Sequence, residues 1–133
     1  MTSLPENWRQ QLTELRMVLL KLHKSLLDNE RLRYEAEHGP IASNAQYLQL
    51  LINNERFNWL QPYTKLVVGV DETLDSKEPV ILEQVQGHWE QARSLTMGQI
   101  NITESKYTLA LTASEAVQVQ HAILMGILNE ASE

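Results

Sequence analysis

Arg16, His23, Glu30 and Glu37 recur every seven residues through a leucine-rich segment. At about 100° per residue, that spacing places the four polar groups in one row along a helix. The neighbours of His23 three and four residues away are Leu19, Leu20, Leu26 and Leu27, so a helix that buries those leucines surrounds the imidazole with apolar side chains. Such a ring needs a hydrogen-bond partner, and desolvation lowers its pKa. Its ordinary use is as a core histidine bonded to a carbonyl or carboxylate; its chemical use is as a ligand. Glu30 lies among Leu26, Leu27 and Tyr34, with Arg33 on the same side as a route to water or a counter-ion, which reads as a partly exposed ion pair because carboxylates are rarely buried alone. His88 and His121 occupy apolar seams of two further segments. Facing helices of a bundle can supply His and Glu to a metal or small molecule, so His23, Glu30, His88 and His121 are the candidate ligands of that alternative. Asp71, a turn after Val67 and Val68, either leans inward or belongs to the surface acids Glu72 and Asp75.

Assembled catalytic signatures do not accompany these residues. A di-iron bundle needs two Glu-x-x-His pairs, and only Glu35-Ala36-Glu37-His38 matches, beside Gly39. There is no glycine-rich phosphate loop, no Gly-x-Ser-x-Gly elbow and no His-Glu-x-x-His. The absence of cysteine excludes thiol nucleophiles, thiolate zinc and disulfides. Eleven Lys plus Arg, scattered along the chain against seventeen Asp plus Glu, leave a net charge of −6 and no basic cluster for nucleic acid. The longest uncharged runs, Gly39 to Asn54 and Ala116 to Asn129, carry Asn and Gln and fall short of the roughly 18 apolar residues a membrane span needs. Charged residues within the first thirty positions disagree with an export signal, so the expected location is the cytoplasm, with no membrane partner, no cofactor and no catalytic residue.

The elements that would carry these groups are helices. With 133 residues, 43% of them hydrophobic, and no repeat or Gly/Pro-rich linker, the chain is read as one domain spanning residues 1–133. The first helix is expected from a capping box at Ser3-Leu4-Pro5-Glu6 to Gly39-Pro40, with Trp8, Leu12, Leu15, Leu19, Leu22 and Leu26 on one seam. A second stripe, Leu20, Leu27 and Tyr34, widens the expected buried arc. At about 35 residues and about 50 Å, this helix outruns a compact domain, so its C-terminal part is expected to project or to pair with another subunit.

Ser43-Asn44-Ala45-Gln46 caps a second helix that loosens at Asn53-Asn54, and Pro62 suits the first turn of a third carrying Tyr63, Leu66, Val67, Val70 and Leu74. A fourth segment, Pro79 to Met97, aligns Ile81, Val85, His88, Ala92 and Leu95 before Gly98. The last helix is expected to open at Thr112-Ala113-Ser114-Glu115 and to bury Val117, His121, Leu124, Leu128 and Ala131. A rival reading makes Lys65 to Asp71 a strand, paired with Ile100 to Thr103 and Tyr107 to Leu111; Pro62 and the helical spacing favour helix. The conformation of Gln99 to Leu111 is left open.

The stretch His23-Lys24-Ser25-Leu26-Leu27-Asp28-Asn29-Glu30-Arg31, with Tyr34-Glu35 and His38-Gly39, followed by Glu55-Arg56-Phe57-Asn58-Trp59-Leu60-Gln61-Pro62 and Val70-Asp71-Glu72, resembles a group of small uncharacterised bacterial all-helical proteins of unknown function. The resemblance spans about the first 75 residues and implies a bacterial helical fold without an activity. The expected architecture is an all-α antiparallel bundle of four to five helices with a long first helix. The expected function is that of a non-enzymatic interaction or regulatory module that associates with itself, as a homodimer or larger homo-oligomer, or with another protein. Its motive is an apolar helix face wider than one bundle seam needs.

Overall fold

A computed structural model describes residues 4–100 and 105–131. Among these the secondary structure is helical with no strand. The elements are α1 (Trp8–His38), α2 (Asn44–Asn53), a 3-10 segment (Glu55–Leu60), α3 (Gln61–Leu74), α4 (Leu82–Leu95), α5 (Lys106–Ala113) and α6 (Glu115–Ala131). Among the described residues there are six α-helices, against the expected four to five. The additional one, α5, begins inside the Gln99 to Leu111 stretch and runs two residues past it. Its signal is Ser105, whose hydroxyl accepts from the Thr108 amide and caps the first turn. The capping of α6 is shifted accordingly: Ser114, not Thr112, accepts from the Val117 amide, while the Ser114 amide closes α5 on the Ala110 carbonyl.

The first helix also begins later than expected. Ser3 lies outside the described residues, Glu6 and Asn7 form a turn, and Trp8 opens the helix with no side-chain cap at Asn7. At its other end Gly39 adopts φ 87°, a left-handed conformation that glycine takes without steric cost, and donates its amide to the Glu35 carbonyl. Ser43 caps α2 through the Gln46 amide as expected, while Gln46 returns a bond to the Ala42 amide. Asn54 caps the 3-10 segment that seats Phe57 and Leu60 in the core, and Pro62 lies in the first turn of α3. Residues 65–71 are helical, which settles the strand alternative; Tyr107 to Leu111 is helical too, and residues 101–103 of the proposed hairpin lie outside the described residues. After α4, the Gly98 amide bonds the Arg93 carbonyl, and a Cβ at Gly98 would stand 2.6 Å from the Ser94 carbonyl oxygen, so only glycine fits there.

The core follows the leucine seam. Leu12, Leu15, Leu19, Leu22 and Leu26 are buried against Tyr63, Leu66, Val67 and Val70 of α3, Tyr107 and Ala110 of α5, and Val117, Leu124 and Leu128 of α6. The arc is narrower than expected: Leu20 is exposed, Leu27 and Tyr34 are half-buried, and Met17 and Leu32 face solvent. In α4 the inward set is Val85, Trp89 and Ala92, whereas Ile81 is exposed and Leu95 half-buried. Trp89, one position past His88, takes the inward place expected of the histidine. The C-terminal part of α1 does not project bare: Tyr47 of α2 reaches the Leu27 carbonyl, and its ring lies 4.6 Å from the Arg31 guanidinium. No helix among the described residues is long and apolar enough to cross a membrane.

Candidate functional site

The seven-residue polar row of α1 meets one partner after another across the groove. Arg16 pairs with Asp71, and His23 Nε2 lies 2.8 Å from Thr64 Oγ1. Glu30 Oε1 accepts from Trp59 Nε1 at 3.3 Å, and Glu37 is clasped by both Arg56 terminal nitrogens at 2.5 and 3.0 Å. As numbers rise along α1 they fall along the partner strip, so α1 runs opposite to the 3-10 segment and α3. The polar row thus specifies the register of two helices whose apolar residues alone would tolerate sliding. Asp71 turns toward α1 to meet Arg16, both side chains being more than a third exposed, so it is neither buried nor a free surface acid.

Glu30 is the most deeply placed member, 1% exposed. Arg56 Nε stands 3.6 Å from its Oε1 and Arg33 Nη1 4.0 Å from its Oε2, so an ion pair is present, but on a buried carboxylate and not on the partly exposed one expected. Oε2 itself accepts no hydrogen bond, and neither does the buried Asn29 amide nitrogen next to it in sequence donate one. The bidentate Arg56 contact holds the Glu37 carboxyl below the usual range and raises the Arg56 pKa in return.

The histidines lie at different junctions. His23 joins α1 to α3. His88 joins α4 to α3 through Thr73 Oγ1 at 2.8 Å, its ring lying over Gly69, where a Cβ would come within 3.2 Å of Cε1. His121 joins α6 to α5 through the Tyr107 hydroxyl at 2.6 Å. Tyr107 stacks on Tyr63, ring centroids 5.9 Å apart, and the Tyr63 hydroxyl donates to the Leu95 carbonyl. His38 contacts Tyr34 and Glu37 at the end of α1. Partial burial lowers the pKa of His23, His88 and His121, and burial raises those of Tyr63 and Tyr107.

Each of these three imidazoles is committed to a hydroxyl on a neighbouring helix. The candidate ligands His23, Glu30, His88 and His121 are not brought to one centre, and no group of three or more His, Asp or Glu among the described residues is placed to hold a metal ion. The His23–Thr64 contact is not arranged as a base with its nucleophile either. The Thr64 hydroxyl has the Leu60 carbonyl as acceptor at 3.3 Å, which leaves the imidazole to donate.

A cleft of about 550 Å³ opens where α4 stands away from the start of α1 and the end of α6. Trp8 and Trp89 line it with Glu90, Glu130 and Arg93, and Arg93 donates across it to the Leu128 carbonyl. These groups hold no nucleophile–base pair.

The feature that residue-by-residue inspection missed is the outer side of α6. Val117, Leu124 and Leu128 are fully buried on one side, while Val119, Ala122, Ile123 and Gly126 are exposed on the other. A helix with apolar residues all round is ordinarily covered all round. The signal is the uncharged run Ala116 to Asn129, too short for a membrane span yet carrying Val119 and Ile123 outside the seam of Val117, Leu124 and Leu128. The outer side of α2 is similar in kind: the helix carries no charged residue, buries none of its ten residues, and leaves Leu48 and Ile52 in solvent. Comparison with protein-family models, curated proteins and solved structures found no match.

Proposed function

We propose that this chain is an antiparallel helical bundle that works as a non-enzymatic interaction module and associates with itself. One observation carries the reading: α6 is apolar on both sides, and the fold covers only one of them. Val119 and Ile123 are 49% and 46% exposed, with no charged residue from Ala116 to Asn129 to solvate that side. The polar groups that looked chemical are engaged in joining helices, which supports a scaffold over a catalyst. The surface differs from the one expected on α1, whose leucine seam packs against α3, α5 and α6.

Sedimentation equilibrium of untagged protein across a hundredfold concentration range tests this. Self-association is expected, and it should strengthen from about 0.05 to 0.5 M salt because added ions screen the repulsion between two acidic copies. A strict monomer throughout, at both salt concentrations, overturns it.

A further inference from the structure

We infer that α4 is a clasp that swings off α3 about its own C-terminal end, and that acid releases it at His88. The inference stands apart from self-association. α3 is the helix that α4 packs against along its length, and the inward set of α4 is short: Val85, Trp89 and Ala92. Cavities border it on both flanks, about 550 Å³ toward α1 and α6, and about 270 and 370 Å³ beside His88 toward α3. Gly87 stands mid-helix with nothing within 4 Å of where a Cβ would be, so α4 carries the entropic cost of an interior glycine with no close neighbour that requires one. A helix with few buried contacts and weakened propensity opens without unfolding the rest of its domain.

The polar ties fix the pivot and the latch. Tyr63 donates to the Leu95 carbonyl at 2.6 Å and Arg93 to the Leu128 carbonyl, both toward the C-terminal end of α4. From Leu82 to Glu90, the one hydrogen bond to another helix among the described residues joins His88 Nε2 to Thr73 Oγ1. The Thr73 hydroxyl has no other acceptor among the described residues, so it donates and Nε2 accepts. A proton on Nε2 removes that acceptor. His23 differs, because its Nε2 already donates to Thr64. Partial burial lowers the His88 pKa and opening restores it, so the open form binds the proton more tightly and acid favours opening. The charged groups beside the ring are Glu72 in one adjoining space and Lys65 in the other, opposite in sign. Glu90, Arg93 and Glu130 line the cleft on the other flank, which His88 does not line. Opening exposes Val85 and Trp89, which are buried in the closed form.

Native-state hydrogen exchange of the parent protein, read amide by amide by NMR and corrected for intrinsic rates, tests this. At pH 7 the amides from Gln86 to Glu90 are expected to be about tenfold or more less protected than those from Leu19 to Leu26. That ratio should widen by about twofold or more on going to pH 5.5. His88→Gln, at a half-buried position, should keep the helical circular dichroism of the parent and abolish the widening. Thr73→Val, which removes the hydroxyl and keeps the shape, should lower the protection of α4 at pH 7 and leave Leu19 to Leu26 unchanged. Equal protection of α4 and α1 in the parent overturns the clasp. A ratio that stays constant with pH, or that still widens in His88→Gln, overturns its release at His88.

Discussion

Arg56 is the residue on which the α1 row can be tested most sharply. Its guanidinium Nε lies 3.6 Å from Glu30 Oε1, and the Glu30 side chain is 2% exposed. At an effective dielectric near 20, that separation corresponds to an attraction of about 4–5 kcal/mol before desolvation is subtracted. Removing one partner of a buried pair strands the other and costs about 3–5 kcal/mol. Two features reduce the figure here: Arg33 remains 4.0 Å from Oε2, and Trp59 still donates to Oε1. The Glu37 contact adds little, since that carboxylate lies in solvent. Arg56→Met, which keeps the aliphatic stem, should therefore destabilise the fold by about 2 kcal/mol. Glu30→Gln alone should cost less than about 1 kcal/mol, because the amide oxygen can still accept from Trp59 and no charge is buried. Combined with Arg56→Met, Glu30→Gln should recover at least about 1 kcal/mol. Urea unfolding followed by far-ultraviolet circular dichroism supplies all four corners of the cycle. Additivity within about 0.5 kcal/mol would refute the claim that Arg56 neutralises Glu30.

Further expectations follow from the helix junctions. His23, His88 and His121 have depressed pKa values in the folded chain, so the unfolded chain binds more protons just below the ordinary imidazole value of about 6.5. Their contribution is whole above that pH and declines as the pH falls through the folded values; urea midpoints should drop between about pH 7.5 and 5.5, and NMR midpoints for these rings at or above that of free imidazole would contradict it. Tyr107→Phe keeps the ring stacked on Tyr63 and removes the bond to His121, a loss of about 1 kcal/mol measurable in the same denaturation assay. Gly87→Ala, with nothing within 4 Å of the new methyl, should stabilise α4 by about 0.5–1 kcal/mol. Gly69→Ala should fail to raise the melting temperature, because its methyl meets the His88 ring, which Thr73 holds in place; an equal gain from both variants would show that the ring yields freely.

Much of the helical layout was legible because periodicity and capping are local. The seam Leu12, Leu15, Leu19, Leu22 and Leu26, the cap at Ser43 and the stop at Gly39 each follow from residues within a turn or two of one another. α5 was harder to read, since eight residues give barely two turns of pattern and an alternating apolar run reads equally as strand. Ser105 was its only clear mark.

The candidate chemistry divides along the same line. Spacing alone placed Arg16, His23, Glu30 and Glu37 in one row and required partners for them, because an unpaired polar group inside an apolar arc costs too much. Which partners, and whether the histidines met, depended on groups 14 to 55 residues away: Asp71, Thr64, Trp59, Arg56, Thr73 and Tyr107. Helix faces are set by a 3.6-residue repeat that any short segment carries within itself. The pairing of those faces is set by the way whole helices cross, and the crossing sent each imidazole to a separate hydroxyl and left the outer side of α6 uncovered.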